Sequence, residues 1–207
     1  MSPFVIVIGR QYGAGGRSLG KKLAEILEIP YYDKELLSES ADALGFSKEL
    51  FMKADEKKPS LFRSFLSFNY GSPSAAFSSY VISDDNLYHA QSHVIKSIAE
   101  KGSCIIVGRT ADYVLRHHPG LISLFVHAPI EHRAKSILER GEADTESAAL
   151  EKARKLDKSR ESYYNFFTNR NWGRADNYHL SFDSSVTSVD DMANFIASQI
   201  KQKFGNR

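Results

Sequence analysis

The sequence predicts an α/β protein, a three-layer sandwich with helices on both faces of a five-stranded parallel sheet. Two observations carry this prediction. Short apolar runs without in–out alternation recur along the chain, as strands buried on both faces require. Amphipathic stretches of helical length separate them, which favours parallel strands joined by right-handed crossovers. The 207-residue length suits one core domain with smaller additions.

The first strand is FVIVIG (4–9), which runs into the glycine-rich turn Gly13-Ala14-Gly15-Gly16 and a helix over 17–28. A short second strand, IPYYD (29–33), is entered through Pro30 and followed by a helix over 34–44. Residues 56–83 break the pattern: they are rich in Ser and Phe with no clear period, as expected of a lid, a binding loop or a mobile segment. A helix over 85–101 leads to the strand SCIIVG (103–108), and LISLFVHA (121–128) is the next strand. Helices then follow over 130–140 and 145–168, the latter inside a charge-dense segment, 141–176, that includes the aromatic run YYNFFTNRNW. The strand NYHLSFDS (177–184) and a helix over 188–203 close the domain.

The formal charge of +2 argues for neither nucleic acid nor an anionic membrane as a partner. No apolar run approaches the roughly 20 residues of a membrane span, and the N-terminus lacks the marks of a secretory leader. The single cysteine, Cys104, lies in an apolar strand and reads as a buried thiol in a reducing compartment. A cytoplasmic protein is expected, with small molecules as partners and a homo-oligomer left open.

The strand, glycine turn and helix at 4–28 bring the backbone N–H groups of Gly13, Ala14, Gly15 and Gly16 to one point. That point also meets the positive end of the helix dipole, which suits a phosphate. Ser18, in the first helical turn, is placed to ligate Mg²⁺ through its hydroxyl. The lysine of such loops is absent, and Arg17 is the nearest cation in sequence. A dinucleotide fingerprint fits poorly, because the third glycine position falls on Ser18. The bland alternative is a glycine turn that holds no ligand. His89 and His93 have the i, i+4 spacing of paired metal ligands but no third ligand with recognisable spacing, so a solvated or interface helix face is expected.

GAGGRSLGKKLAE resembles the loop of cytidylate kinases, GAGKGT followed by a helix with Leu-Ala-Glu. The resemblance continues in order through YYDKELL, IIVGRTADYVL, FVHAPIEHRAKSIL, KLDKSR (155–160) and HLSFDSSVTSVDDMANFI. The wording GRQYGAGGR…YYDKEL…KGSCIIVGRTADYVL…RNWGRADNYHL is similar to a divergent branch of that family that also lacks the lysine. This resemblance implies a P-loop kinase fold with its core over 1–33, 86–140 and 177–207. A monophosphate-binding insertion would occupy about 34–85 and a lid about 141–176.

The resemblance further implies ATP as phosphoryl donor, Mg²⁺, and CMP or dCMP as acceptor. Asp33, Arg109, Asp157 and Arg160 correspond to acceptor-binding positions. Arg17, Arg133, Arg154 and Arg160 would stabilise the transferring group, with Arg17 in place of the lysine. Arg154, Asp157 and Arg160 recur every three residues, on one helix face, which an exposed ion-pair row would also show. Val107 and Thr110 stand where classical members carry base-reading aspartates, which opens the base preference. Another phosphate acceptor, or a non-catalytic nucleotide binder, are the alternatives.

Overall fold

A computed structural model of the chain describes residues 3–33, 35 and 84–205. Its strands are β1 (Val5–Arg10), β2 (Tyr31–Tyr32), β3 (Cys104–Val107), β4 (Leu121–His127) and β5 (Leu180–Asp183). Its helices are α1 (Gly16–Leu27), α2 (Asp84–Glu100), α3 (Ala111–Val114), α4 (Ile130–Glu139), α5 (Glu146–Thr168) and α6 (Val189–Phe204). The strands form one sheet in the order β2-β3-β1-β4-β5, and every pairing is parallel.

Continuous hydrophobicity along β1 reflects its central place, since both of its faces are covered. Ile6 and Ile8 join Leu19 and Leu23 of α1 and Met192, Ile196 and Ile200 of α6 in one core layer. Val5 and Val7 face the other way, onto Val94, Ile95 and Ile98 of α2 and Ala111 and Val114 of α3. A third cluster joins α4 to α5 through Ala134, Ile137, Ala149 and Ala153. Cys104 is buried, as its apolar setting predicts.

The five expected strands and the helices outside 34–83 are present, with ends shifted by a residue or a few. The last strand is shorter than expected because Ala175–Asn177 forms a 3₁₀ turn first. Helix α3 was not foreseen: four residues are too few to show a helical period. The expected helix 34–44 and the irregular segment 56–83 lie outside the described residues, apart from Glu35. Among the described residues no helix is long and apolar enough to cross a membrane.

The register decides where a site forms. Ile8 of β1 pairs with Val107 of β3, and the Gly108 N–H donates to the Ile8 carbonyl at 3.0 Å. The two central strands therefore end side by side, Gly9-Arg10 next to Gly108-Arg109, at the carboxyl edge where ligands of parallel sheets bind.

Candidate active site

The glycine loop is shaped by backbone geometry. Gly13 and Gly15 hold positive φ angles of 86° and 82°, conformations that L side chains rarely adopt. Gly13 also lies against α4, where an added Cβ would sit 2.8 Å from the Arg133 carbonyl oxygen. Gly15 caps α1 with no side-chain hydrogen bond. The first N–H groups of a helix lack intrahelical partners, so those of α1 open into the loop as an anion cradle. Ser18 is exposed in this first turn.

Beside the loop, the chain leaves β3 under strain. Gly108, Arg109 and Thr110 carry positive φ angles of 85°, 61° and 52° in succession. For a β-branched threonine this conformation is a true outlier, and strain of that kind gathers at functional sites. The Thr110 hydroxyl donates to the Arg109 carbonyl at 2.6 Å. Arg109 is buried, and lines a cleft with Arg10, Arg160, Asp112, Tyr163 and Trp172.

The segment expected to be a lid is docked on the loop. Asp157 of α5 accepts the Tyr12 N–H at 2.7 Å and an Arg133 N–H at 2.6 Å. Arg133 also donates to the Ala128 and Tyr12 carbonyls, at 2.9 and 3.1 Å. Arg160 donates to the Arg10 carbonyl at 3.2 Å, and its guanidinium lies 5.3 Å from the Tyr12 ring centre. The Tyr12 hydroxyl donates to Glu142, which precedes α5. Burial pushes the Asp157 carboxyl above the usual aspartate range, against the pull of the Tyr12 N–H, Arg133 and Arg160. Burial, with the hydrogen bond to and charge of Glu142, also pushes the Tyr12 phenol up to about 12.

Most of the residues predicted from sequence therefore meet here. The loop glycines, Ala14, Ser18, Arg109, Arg133, Asp157 and Arg160 surround one edge of the sheet. Arg133 is committed to backbone carbonyls and Asp157, which makes it a positioning residue for the loop. Arg154 is exposed on α5 and takes no part in the contacts just described. Arg17 turns toward the end of β2: its Nε lies 3.4 Å from Asp33 and its Nη2 2.9 Å from Glu35. Asp33, itself buried, also accepts the Tyr31 hydroxyl at 3.3 Å.

Sequence reasoning missed Arg10 and Asp112. Arg10 had a visible signal, because Gly9-Arg10 closes β1 just as Gly108-Arg109 closes β3. Asp112 is buried on α3, where it accepts the Tyr164 hydroxyl at 2.8 Å. Burial raises its carboxyl pKa against that hydrogen bond. The aromatic run divides its work. Phe167 stacks on Tyr88 at 4.3 Å and Trp172 meets Phe125 edge-on, while Tyr163, Tyr164 and Trp172 line the cleft.

Among the described residues no group of three or more His, Cys, Asp or Glu could hold a metal alone, and His89 and His93 are exposed. An exposed serine hydroxyl beside an anion cradle is a hard oxygen donor, which fits Mg²⁺ held mainly by phosphates and water.

The model of the cytidylate kinase-like family matches residues 5–186. The chain belongs to that family. Among solved structures, an uncharacterised protein from Eubacterium ventriosum is 29% identical, with a TM-score of 0.72 over 97% of this chain and 99% of that one. A shikimate kinase from Acinetobacter baumannii, in complex with shikimate, is 15% identical, with a TM-score of 0.51 over 99% of this chain and 96% of that one. The YorR protein of Bacillus subtilis, in complex with phosphorylated GDP, is 15% identical, with a TM-score of 0.52 over 98% and 99%. No curated protein matches the chain. The cytidylate kinase-like chain thus has the three-layer P-loop kinase fold.

Proposed function

We propose that this cytidylate kinase-like protein transfers the γ-phosphoryl group of ATP to a nucleoside monophosphate, CMP or dCMP first, giving ADP and the diphosphate. The observation that carries this reading is the meeting of a glycine loop without a side-chain cap, the Gly108-Arg109 turn and a docked α5 at one sheet edge. Phosphoryl transfer needs little covalent chemistry from a protein, only in-line positioning and neutralised charge.

In this reading the N–H groups of the loop and of the α1 start hold the donor phosphates. Arg109 receives the acceptor's phosphate, and Asp33 with Arg17 forms the acceptor side at the end of β2. Arg160, held over Tyr12, adds positive charge above the loop, and docking of α5 excludes water from the transfer. Ser18 would hold Mg²⁺, which when bound offsets charge on the donor phosphates. The reading places the protein in the cytoplasm, in keeping with a single buried thiol.

The fold alone does not name the acceptor, since one similar structure holds shikimate and another phosphorylated GDP. An acceptor panel with Mg-ATP tests the proposal: CMP, dCMP, UMP, AMP, GMP and small alcohols, followed by coupled ADP release. Turnover highest with CMP or dCMP is expected. Turnover with an alcohol only would replace the nucleotide acceptor. ATP binding without turnover would identify a non-catalytic nucleotide binder.

A further inference from the structure

A loop lysine normally reaches the β- and γ-phosphates. Setting GAGKGT on Gly13-Ala14-Gly15 puts glycine, Gly16, at the lysine position. A Cβ added to Gly16 would lie 2.6 Å from Arg10 Cβ and 3.0 Å from Arg10 Cγ. The stem of Arg10 thus fills the space in which a lysine side chain would begin. The same side chain then crosses to the end of the neighbouring strand. A Cβ added to Gly108 would lie 1.9 Å from Arg10 Nη1, so the guanidinium occupies the space that a side chain at position 108 would take. Two glycines, one opening α1 and one following β3, therefore line the path of one arginine. Its guanidinium lies between the glycine loop and the Gly108-Arg109 turn, in the cleft shared with Arg109 and Arg160. Arg17 leaves in another direction, toward Asp33 and Glu35.

We propose that Arg10 is the cation that replaces the loop lysine, and that it grips the phosphoryl group as it passes from ATP to the acceptor. The proposal deepens the kinase reading above and rests on it. A side chain rooted in the central strand is held more firmly than one in an exposed helical turn. A guanidinium fork can also hold oxygens of two phosphates at once, which an ammonium cannot do in the same fixed geometry. In the step itself an acceptor phosphate oxygen bonds to the γ-phosphorus while the bond to the β–γ bridging oxygen breaks and ADP leaves. Arg10 keeps its proton throughout.

The test compares folded Arg10→Gln, Arg10→Lys, Arg10→Gly and Arg10→Gly/Gly16→Lys proteins with wild type. The readouts are calorimetric ATP binding and kcat with the best acceptor of the panel, or water where no acceptor turns over. Arg10→Gln is expected to lower kcat by about 100-fold or more. Lysine restored at position 16 should regain at least about tenfold over Arg10→Gly, because the space is then free for it. Gly16→Lys with Arg10 retained should be poorer than the double variant. Arg17→Gln should instead act mainly on the acceptor's KM.

Wild-type kcat in Arg10→Gln, beside a large kcat loss in Arg17→Gln, would overturn the proposal and leave the kinase reading standing. A wild type that neither binds nor turns over ATP would overturn both. Where Arg10→Gln does not fold, the double variant decides: folded but no faster than Arg10→Gly, it too overturns the proposal.

Discussion

At the residue scale, the chain's chemistry depends on how its surroundings treat each group. Cys104 shows this for a thiol. Burial between β1 and α2 pushes its pKa up to about 12, and no cationic partner offsets that among the causes of the shift. Thiol reactivity follows the thiolate fraction, so Cys104 should be inert in the native state. Labelling with a chromogenic disulfide reagent at pH 8 is expected to yield well under 0.1 thiol per chain over an hour, and about one after denaturation. Rapid native labelling would contradict the burial. Arg10 shows the reverse lesson: its role is invisible in a list of loop residues and follows from the two glycines it crosses. Arg109 could be singled out in sequence because a charge after a buried strand has no structural need. The same argument applies to Arg10, which closes β1 as Arg109 follows β3.

At the scale of elements, β1, β3 and β4 were legible because burial on both faces leaves a continuous apolar run, whereas the edge strands β2 and β5 are only partly buried. The helices were legible from their period, and α3 was not, being one turn long. What the sequence could not show was how α5 meets the loop. Arg154, Asp157 and Arg160 form a row in sequence that fits an exposed ion-pair face equally well. In the fold that row splits: Asp157 and Arg160 turn inward to Tyr12, Arg133 and Arg10, while Arg154 remains exposed.

Asp157 is thus the joint between α5 and the loop, with a side chain only 14% exposed beside an Arg133 side chain at 7%. Asp157→Asn keeps the size but removes the charge that faces two arginines. Removing one partner of a largely buried pair costs about 3 kcal/mol. The variant should therefore unfold at lower urea concentration, with weaker ATP binding because Tyr12 and the loop lose their anchor. An unchanged urea midpoint would show that Arg133, through its carbonyl contacts, holds the joint without it.

At the scale of the whole molecule, a loop without lysine is judged by what it binds. The fold gathers four separated segments at the site: the β1–α1 loop, the β3 end, the start of α4 and α5. A ligand that bridges them should stabilise the domain as a unit, because it binds the folded chain and not the unfolded one. At 100 times its Kd, Mg-ATP would add about 2.7 kcal/mol. For a chain of this length each kcal/mol raises Tm by roughly 2–4 °C, so a rise of about 5–10 °C is expected.

The phosphate cradle also predicts which part of the ligand matters. Adenosine has the base and ribose but offers the loop nothing to hold, so at equal concentration it should shift Tm by less than about 1 °C. ADP should fall between the two, since it reaches the α1 N-terminus but not the space beside Arg10. That order, ATP above ADP above adenosine, is what a cradle completed by a central arginine requires. Equal shifts for all three would mean that the loop holds no phosphate. Equal shifts for ATP and ADP would mean that it holds phosphate without a cation at the γ-position.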